Sequence, residues 1–287
     1  MRNEDVFPGS SRLVEGALPA SSLLLIGPSG VGKTVFCKQF VCNGLAKGEP
    51  SIYITTSEPP QEIEDSMNSL GFEFESYKNN RLFRIVDCYS WKTGATSFTP
   101  ALTNWVITDP GDLAVVSGTI ENALHGLTHI RLVLDSITGL TSICSYDHTF
   151  LSKFLQIIAA KIKTLNGNGV FVVNAEAHDQ QFISYLRQTF DGTLEMKEDE
   201  SSKEIKRLMR LFSLKGAAHK TRWIQFAITD HGIVIKNEVE LRCIMCSRII
   251  EGEPHFETVK GNKLSFDSVD CASTYKKLKS VYGEDFE

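Results

Sequence analysis

The chain has 287 residues, 42% of them hydrophobic and 23% charged, with a formal net charge of −5. That suits a globular protein with one full-sized domain and a smaller one, and it excludes an overall field that would draw the molecule to nucleic acid or an anionic membrane. The start, Met1-Arg2-Asn3-Glu4-Asp5, is acidic with no apolar run behind it, and no stretch approaches the roughly 18 apolar residues of a membrane span, so the expected compartment is the cytoplasm with no membrane role.

Ser22-Leu23-Leu24-Leu25-Ile26 is an apolar run of strand length. It leads into Gly27-Pro28-Ser29-Gly30-Val31-Gly32-Lys33-Thr34, which fits the phosphate-binding loop Gly-x4-Gly-Lys-Ser/Thr at every required position. Glycines let the backbone wrap close to phosphates with its N–H groups inward, and the helix predicted from Thr34 to Ala46 adds its positive dipole end. Lys33 is the point charge for the β- and γ-phosphates, and the Thr34 hydroxyl is a ligand for Mg²⁺.

Next come a strand over Ser51–Thr55, a helix from Gln61 to Leu70 and a strand over Leu82–Asp87. Between the first two lies Ser57-Glu58-Pro59-Pro60, whose Glu58 is the local candidate to orient or deprotonate an attacking water. Its bland alternative is a first-turn acid favoured by the helix dipole. Tyr89 to Pro110 is polar and rich in turn residues, and reads as a surface excursion.

Helical spacing returns over Asp112–Leu127 and Thr149–Leu165, alternating with strands at Ile130–Asp135 and Gly169–Asn174. Asp135 ends an apolar strand, where a carboxylate at the C-terminal edge of a parallel sheet can hold Mg²⁺ beside the phosphate loop. The strand-like segments Gly192–Met196, Ile205–Leu214, Arg222–Ile228 and Gly232–Lys236, with a charged turn from Lys197 to Lys206, predict an antiparallel extension of a mostly parallel α/β sheet.

Seven cysteines do not make a disulfide framework. Cys37 and Cys42, in the helix after the phosphate loop, read as small buried hydrophobes, and Cys88 and Cys144 are scattered. Cys243, Cys246 and Cys271 cluster near the C-terminus. Cys243-Ile244-Met245-Cys246 can clamp one face of Zn²⁺, and Asp267 and Cys271, before a predicted helix from Ala272 to Tyr282, can complete a tetrahedron. His255 and Asp270 are alternative ligands; a metal-free fold or a redox pair at Cys243 and Cys246 are alternative readings.

Several segments appear in the order found in KaiC-like ATPases of the RecA superfamily: Gly16-Ala17-Leu18-Pro19, the phosphate loop, Thr56 to Ile63, Leu132 to Ser136, Phe190-Asp191-Gly192, Lys215-Gly216-Ala217-Ala218-His219 and Ile228 to Ile233. The chain resembles that family over about residues 5 to 237. The resemblance implies a RecA-like P-loop core, ATP with Mg²⁺, and a homo-oligomer, with a hexameric ring as one form, in which ATP lies between neighbouring subunits. It also points to regulators of the archaeal type with an unidentified protein partner. Where the family usually has two adjacent glutamates, with the first favoured as the base, this chain has Ser57-Glu58; where it often has Lys-x-Arg-Gly before a spaced His, this chain has Ser213-Leu214-Lys215-Gly216 and His219. A lysine lacks the planar fork of an arginine finger, so the resemblance implies slow turnover, with Lys215 and His219 as the neighbour-contacting pair.

The segment after residue 238 resembles TRASH or YHS-like treble-clef modules, with Asp267 in place of the usual third cysteine. The expected organisation is a KaiC/RecA-like ATPase domain over 1–238 and a small treble-clef zinc-finger-like module over 239–287. Three functions follow from these readings: a slow Mg²⁺-dependent ATPase, a nucleotide-gated switch without significant hydrolysis whose zinc module binds a partner, and a RecA-like recombinase. The acidic balance disfavours the last and nucleic acid with it.

Overall fold

The computed structural model describes residues 5–71, 77, 82–93, 105–143, 148–201, 205–236, 242–248, 250, 254–259 and 262–282. Two compact units divide the chain, Met1–Lys236 and Asn237–Glu287.

The first unit runs α1 (Ser10–Leu13), β1 (Ser21–Gly27), α2 (Lys33–Leu45), β2 (Ser51–Thr55), α3 (Pro60–Ser69), β3 (Phe83–Asp87), β4 (Trp105–Val106), α4 (Leu113–Leu124), β5 (Arg131–Asp135), α5 (Ile137–Ile143), α6 (His148–Thr164), β6 (Asn168–Asn174), α7 (Gln180–Thr189), β7 (Gly192–Asp199), β8 (Lys206–Leu214), β9 (Ile224–Thr229) and β10 (Gly232–Ile235). All ten strands form one sheet in the order β10-β9-β8-β7-β1-β6-β5-β2-β3-β4. From β7 to β4 neighbouring strands are parallel, and β7 through β10 are joined antiparallel.

The central strands are buried on both faces, and the two-residue side-chain period divides them between two cores. Leu23 and Leu25 of β1, Val133 of β5 and Val170 and Val172 of β6 join Phe36, Phe40 and Val41 of α2 and Ile63 and Met67 of α3. The intervening Leu24, Ile26, Leu132, Leu134, Phe171 and Val173 join α4, α6 and α7 through Val116, Ile120, Leu151, Leu155, Phe182 and Leu186. Each such side chain contributes about 1.5–3 kcal/mol by leaving water.

From β7 to β10 the described residues bury one face in the α2 core. Leu194, Met196, Met209, Leu211, Ile224 and Phe226 enter the α2 core, whereas Glu195, Arg210 and Phe212 face away. There Arg210 forms an ion pair with Glu195 at 2.6 Å and lies over Phe212 and Trp223 at 5.1 and 4.5 Å.

The structure departs from the sequence expectations in several places. The excursion after Tyr89 contributes a 3-10 turn (Ser90–Thr93) and the edge strand β4, with Ile107 buried; residues 94–104 lie outside the described residues, as does Cys144. Helices α5 and α7 were not expected, and β7 extends into the charged turn as far as Asp199.

The second unit holds a hairpin of β11 (His255–Val259) and β12 (Asn262–Phe266) and the helix α8 (Val269–Tyr282). Among the described residues its core is small: Cys243, Phe266, Ala272 and Tyr275.

Candidate functional site

Parallel pairing aligns the C-terminal ends of the central strands. Gly27 of β1 stands opposite Asn174 of β6, and Thr55 of β2 opposite Asp135 of β5. At this edge lies a cleft of about 350 Å³ lined by Ser29, Gly30, Gly32, Lys33, Thr34, Asp135, Ser136, Thr138 and Asn174 among others. Ligands of open α/β sheets bind at this edge.

The loop between β1 and α2 needs its glycines for two different reasons. A Cβ at Gly27 would stand 2.7 Å from the Met196 carbonyl oxygen of β7, so only glycine lets the loop leave the sheet there. Gly32, at φ 110°, adopts a left-handed conformation at the start of α2 that other residues resist. Lys33 Nζ donates to the carbonyls of Gly27 and Pro28 at 2.7 and 2.6 Å, which holds the cation over the loop. Burial pushes the Lys33 ammonium below its ordinary pKa, against the opposing pull of Asp135.

The strand period sends Asp135 to the α2 face, with Val133. Its Oδ2 accepts a 2.8 Å hydrogen bond from the Tyr53 hydroxyl, and Thr34 also hydrogen-bonds to it. Burial raises the Asp135 carboxyl above its ordinary pKa; the Tyr53 and Thr34 bonds oppose this and the Glu58 charge adds to it. The peptide bond from Asp135 to Ser136 is cis.

Glu58 is anchored by backbone contacts. Thr55 Oγ1 donates to the Glu58 carbonyl at 2.5 Å, and Pro59 and Pro60 begin α3 directly after it. Its carboxylate reaches α2, where Lys38 Nζ donates to Oε2 at 2.7 Å. The Lys38 side chain is 6% exposed. Ser57 lines an adjoining cleft of about 540 Å³ with Thr56, Trp91 and Lys92, sharing Ser136 and Thr138 with the first.

Lys38 and Tyr53 escaped the sequence reading, though each left a trace. Lys38 is a charged residue among Phe36, Cys37, Phe40 and Val41, four positions after Thr34 and so on the same helix face. Tyr53 is a hydroxyl in an apolar strand, two residues from the strand end that faces Asp135.

Lys215 and His219 do not line this cleft. Leu214 pairs with Gly192, which pairs with Leu23 near the start of β1, so Lys215 follows at the sheet edge opposite the phosphate loop. Its Nζ donates to the Phe190 carbonyl at 3.0 Å. His219 forms an isolated bridge with Val14, and its Nδ1 lies 3.2 Å from the Ala217 carbonyl.

In the second unit the Sγ atoms of Cys243, Cys246 and Cys271 lie within 4.8 Å of one another. Among the described residues the Asp267 carboxylate is not part of this cluster. Asp267 contributes its backbone N–H instead: burial pushes the Cys243 thiol up, but hydrogen bonds from the N–H groups of Asp267, Cys246 and Met245 outweigh it and bring the pKa down to about 7. A thiolate at that position is what a thiophilic metal requires.

Comparisons with known proteins place the chain in a family. The sequence profile of the family described as "ATPase: KaiC" matches residues 8–240. A UPF0273 protein of Thermotoga maritima is 30% identical over 233 residues, 79% of this chain and 93% of that one. One from Methanopyrus kandleri is 28% identical over 234 residues, 80% and 90% of the two chains. One from Sulfurisphaera tokodaii is 26% identical over 261 residues and covers 90% of both, which takes the likeness into the second unit. The fold matches the crystal structure of a KaiC-like protein from Pyrococcus horikoshii with a TM-score of 0.61, at 21% identity, over 80% of this chain and 96% of that one.

Proposed function

Because the chain belongs to the KaiC family of ATPases, we propose that it is an ATP-binding regulatory protein of low turnover, whose first unit takes Mg²⁺-ATP and whose second takes Zn²⁺. The observation that carries the nucleotide reading is the joint placement of Lys33, Thr34 and Asp135 around one cleft at the C-terminal sheet edge. The residues fit the ligand: Gly30 and Gly32 line the cleft without side chains, the loop backbone and α2 N-terminus suit phosphates, and a partly desolvated Lys33 is stabilised by an anion. Thr34 and Asp135 would hold Mg²⁺, which neutralises phosphate charge when bound.

Glu58 is the candidate base for hydrolysis, in which a water oxygen bonds to the γ-phosphorus, the bond to the ADP oxygen breaks and the water's proton leaves. Ser57, where the family usually carries a first glutamate, favours slow turnover. The second reading, a switch that binds ATP without hydrolysing it, is favoured by the engagement of Glu58 with Lys38. Lys215 and His219, remote from their own cleft, suit a role at the cleft of a neighbouring copy in a ring. The C-terminal unit we read as a treble-clef-like module in which Cys243, Cys246 and Cys271 bind zinc; so small a core needs such a staple. The remaining ligand position then falls to Asp267, another side chain or water, and a regulatory protein partner in the cytoplasm completes the reading.

Native mass spectrometry with and without Mg²⁺-ATP, with metal analysis and phosphate release on the same sample, tests the proposal. We expect nucleotide-bound oligomers, one zinc per chain and a turnover well below the roughly 1–10³ s⁻¹ of ordinary enzymes. A protein that binds no ATP would remove the nucleotide reading, and one that binds no metal would remove the zinc reading.

A further inference from the structure

We propose that Lys38 is a brake on hydrolysis: its ammonium holds the Glu58 carboxylate and so keeps the candidate base from the attacking water. The proposal deepens the ATPase reading and rests on it.

Three observations carry the argument. Lys38 lies one helical turn after Thr34 on the same face of α2, and its charge acts on Asp135 of the candidate metal site. It is almost wholly buried, and Glu58 Oε2 accepts its hydrogen bond at 2.7 Å. Glu58 is bound at its backbone as well, through Thr55 and the two prolines, so its side chain is the part left to move.

A nearly buried ammonium needs its counter-ion, and removing the partner leaves an uncompensated charge. For Glu58 to turn toward a water at the γ-phosphate, it must leave Lys38 without its hydrogen-bonded counter-ion, with Asp135 as the remaining nearby negative charge. That cost opposes the step in which the water oxygen bonds to phosphorus, the ADP oxygen departs and the proton passes to the carboxylate. Glu58 thus serves as the counter-ion of Lys38 before it can serve as a base. Lys38 acts through Glu58 and is a positioning residue.

The test is steady-state ATP hydrolysis in Mg²⁺, with ATP affinity measured by calorimetry, on the full-length protein. Lys38→Gln removes the charge and keeps most of the stem; we expect kcat to rise by about fivefold or more with KM changed less than about twofold. Lys38→Arg keeps a cation for Glu58 and should restore the wild-type rate. The double variant Lys38→Gln with Glu58→Gln should lose the gain, since the effect runs through Glu58. If Lys38→Gln does not fold, Lys38→Met, which keeps the apolar stem, gives the same reading. A kcat that is unchanged or lower in a folded variant that binds ATP would overturn the brake and leave the nucleotide reading intact. Absence of ATP binding by the wild-type protein would overturn both.

Discussion

At Asp135, burial and hydrogen bonding act in opposite directions. Burial raises its carboxyl pKa, while Tyr53 and Thr34 stabilise the ionised form that a metal requires. Burial prevails, so the folded protein takes up this proton more readily than the unfolded chain. The ionised carboxylate therefore lowers the stability of the nucleotide-free protein at neutral pH, and that cost disappears as pH falls below the ordinary carboxylate range. Asp135→Asn should raise the apo melting temperature at neutral pH, with the gain vanishing in acid, and should weaken Mg²⁺-dependent ATP binding by about tenfold or more. A melting temperature that does not rise at neutral pH would mean that the two hydrogen bonds outweigh desolvation. Among single residues, Lys33, Thr34 and Asp135 were legible because a motif and a strand end specify them. The Lys38–Glu58 and Tyr53–Asp135 pairs were not, since 20 and 82 residues separate the partners and only the folded helix and strands bring them together.

Between elements, two polar clamps connect the sheet to its helices. Asp191, in the short connection between α7 and β7, accepts hydrogen bonds from the Ser22 backbone N–H at 2.9 Å, the Ser22 hydroxyl at 2.8 Å and Lys163 Nζ at 2.5 Å. Burial pushes its carboxyl up, but the Lys163 and Ser22 bonds prevail and hold it below the ordinary value. Its stabilisation is thus present above the pKa of the unfolded chain and is lost as pH falls through the lower folded value. Asp191→Asn should cost about 1–3 kcal/mol in urea unfolding at neutral pH, mostly through the buried Ser22 bonds because Lys163 is half exposed, and the deficit should shrink in acid. The second clamp is Arg131, wholly buried at the start of β5. It donates to Glu49, to the Val6 carbonyl at 2.5 Å and to the Phe40 carbonyl at 2.8 Å. A Cβ on Gly44 of α2 would run into the Arg131 side chain. We expect Gly44→Ala, usually favourable in a helix, to cost about 1–3 kcal/mol here, and no loss of stability would show that Arg131 can move aside. The strands with continuous apolar runs were legible in the sequence, β1, β5 and β6 most plainly. Helix α7 was hidden because its buried contribution is small: Phe182 and Leu186 enter the core and the rest of its ten residues are polar or partly exposed.

For the whole molecule, the separation of Lys215 from the phosphate loop has a consequence for assembly. The phosphate loop follows the C-terminal end of β1, while Lys215 follows β8 at the other edge of the same sheet. No rearrangement short of unfolding the sheet brings Lys215 to its own loop, so a role for it in hydrolysis requires another copy. The sequence order disclosed both segments and could not separate them in space; the antiparallel return of β8 does so. If copies complete one another's sites in a ring, Lys33→Ala and Lys215→Ala should each be inactive alone, yet equal mixtures should recover activity. Half of the loops in a randomly mixed ring are intact, and half of those face an intact Lys215, so about a quarter of the wild-type rate is expected. A mixture no more active than its parts, in assemblies that native mass spectrometry shows to be mixed, would confine Lys215 to holding the Phe190 carbonyl and the end of α7.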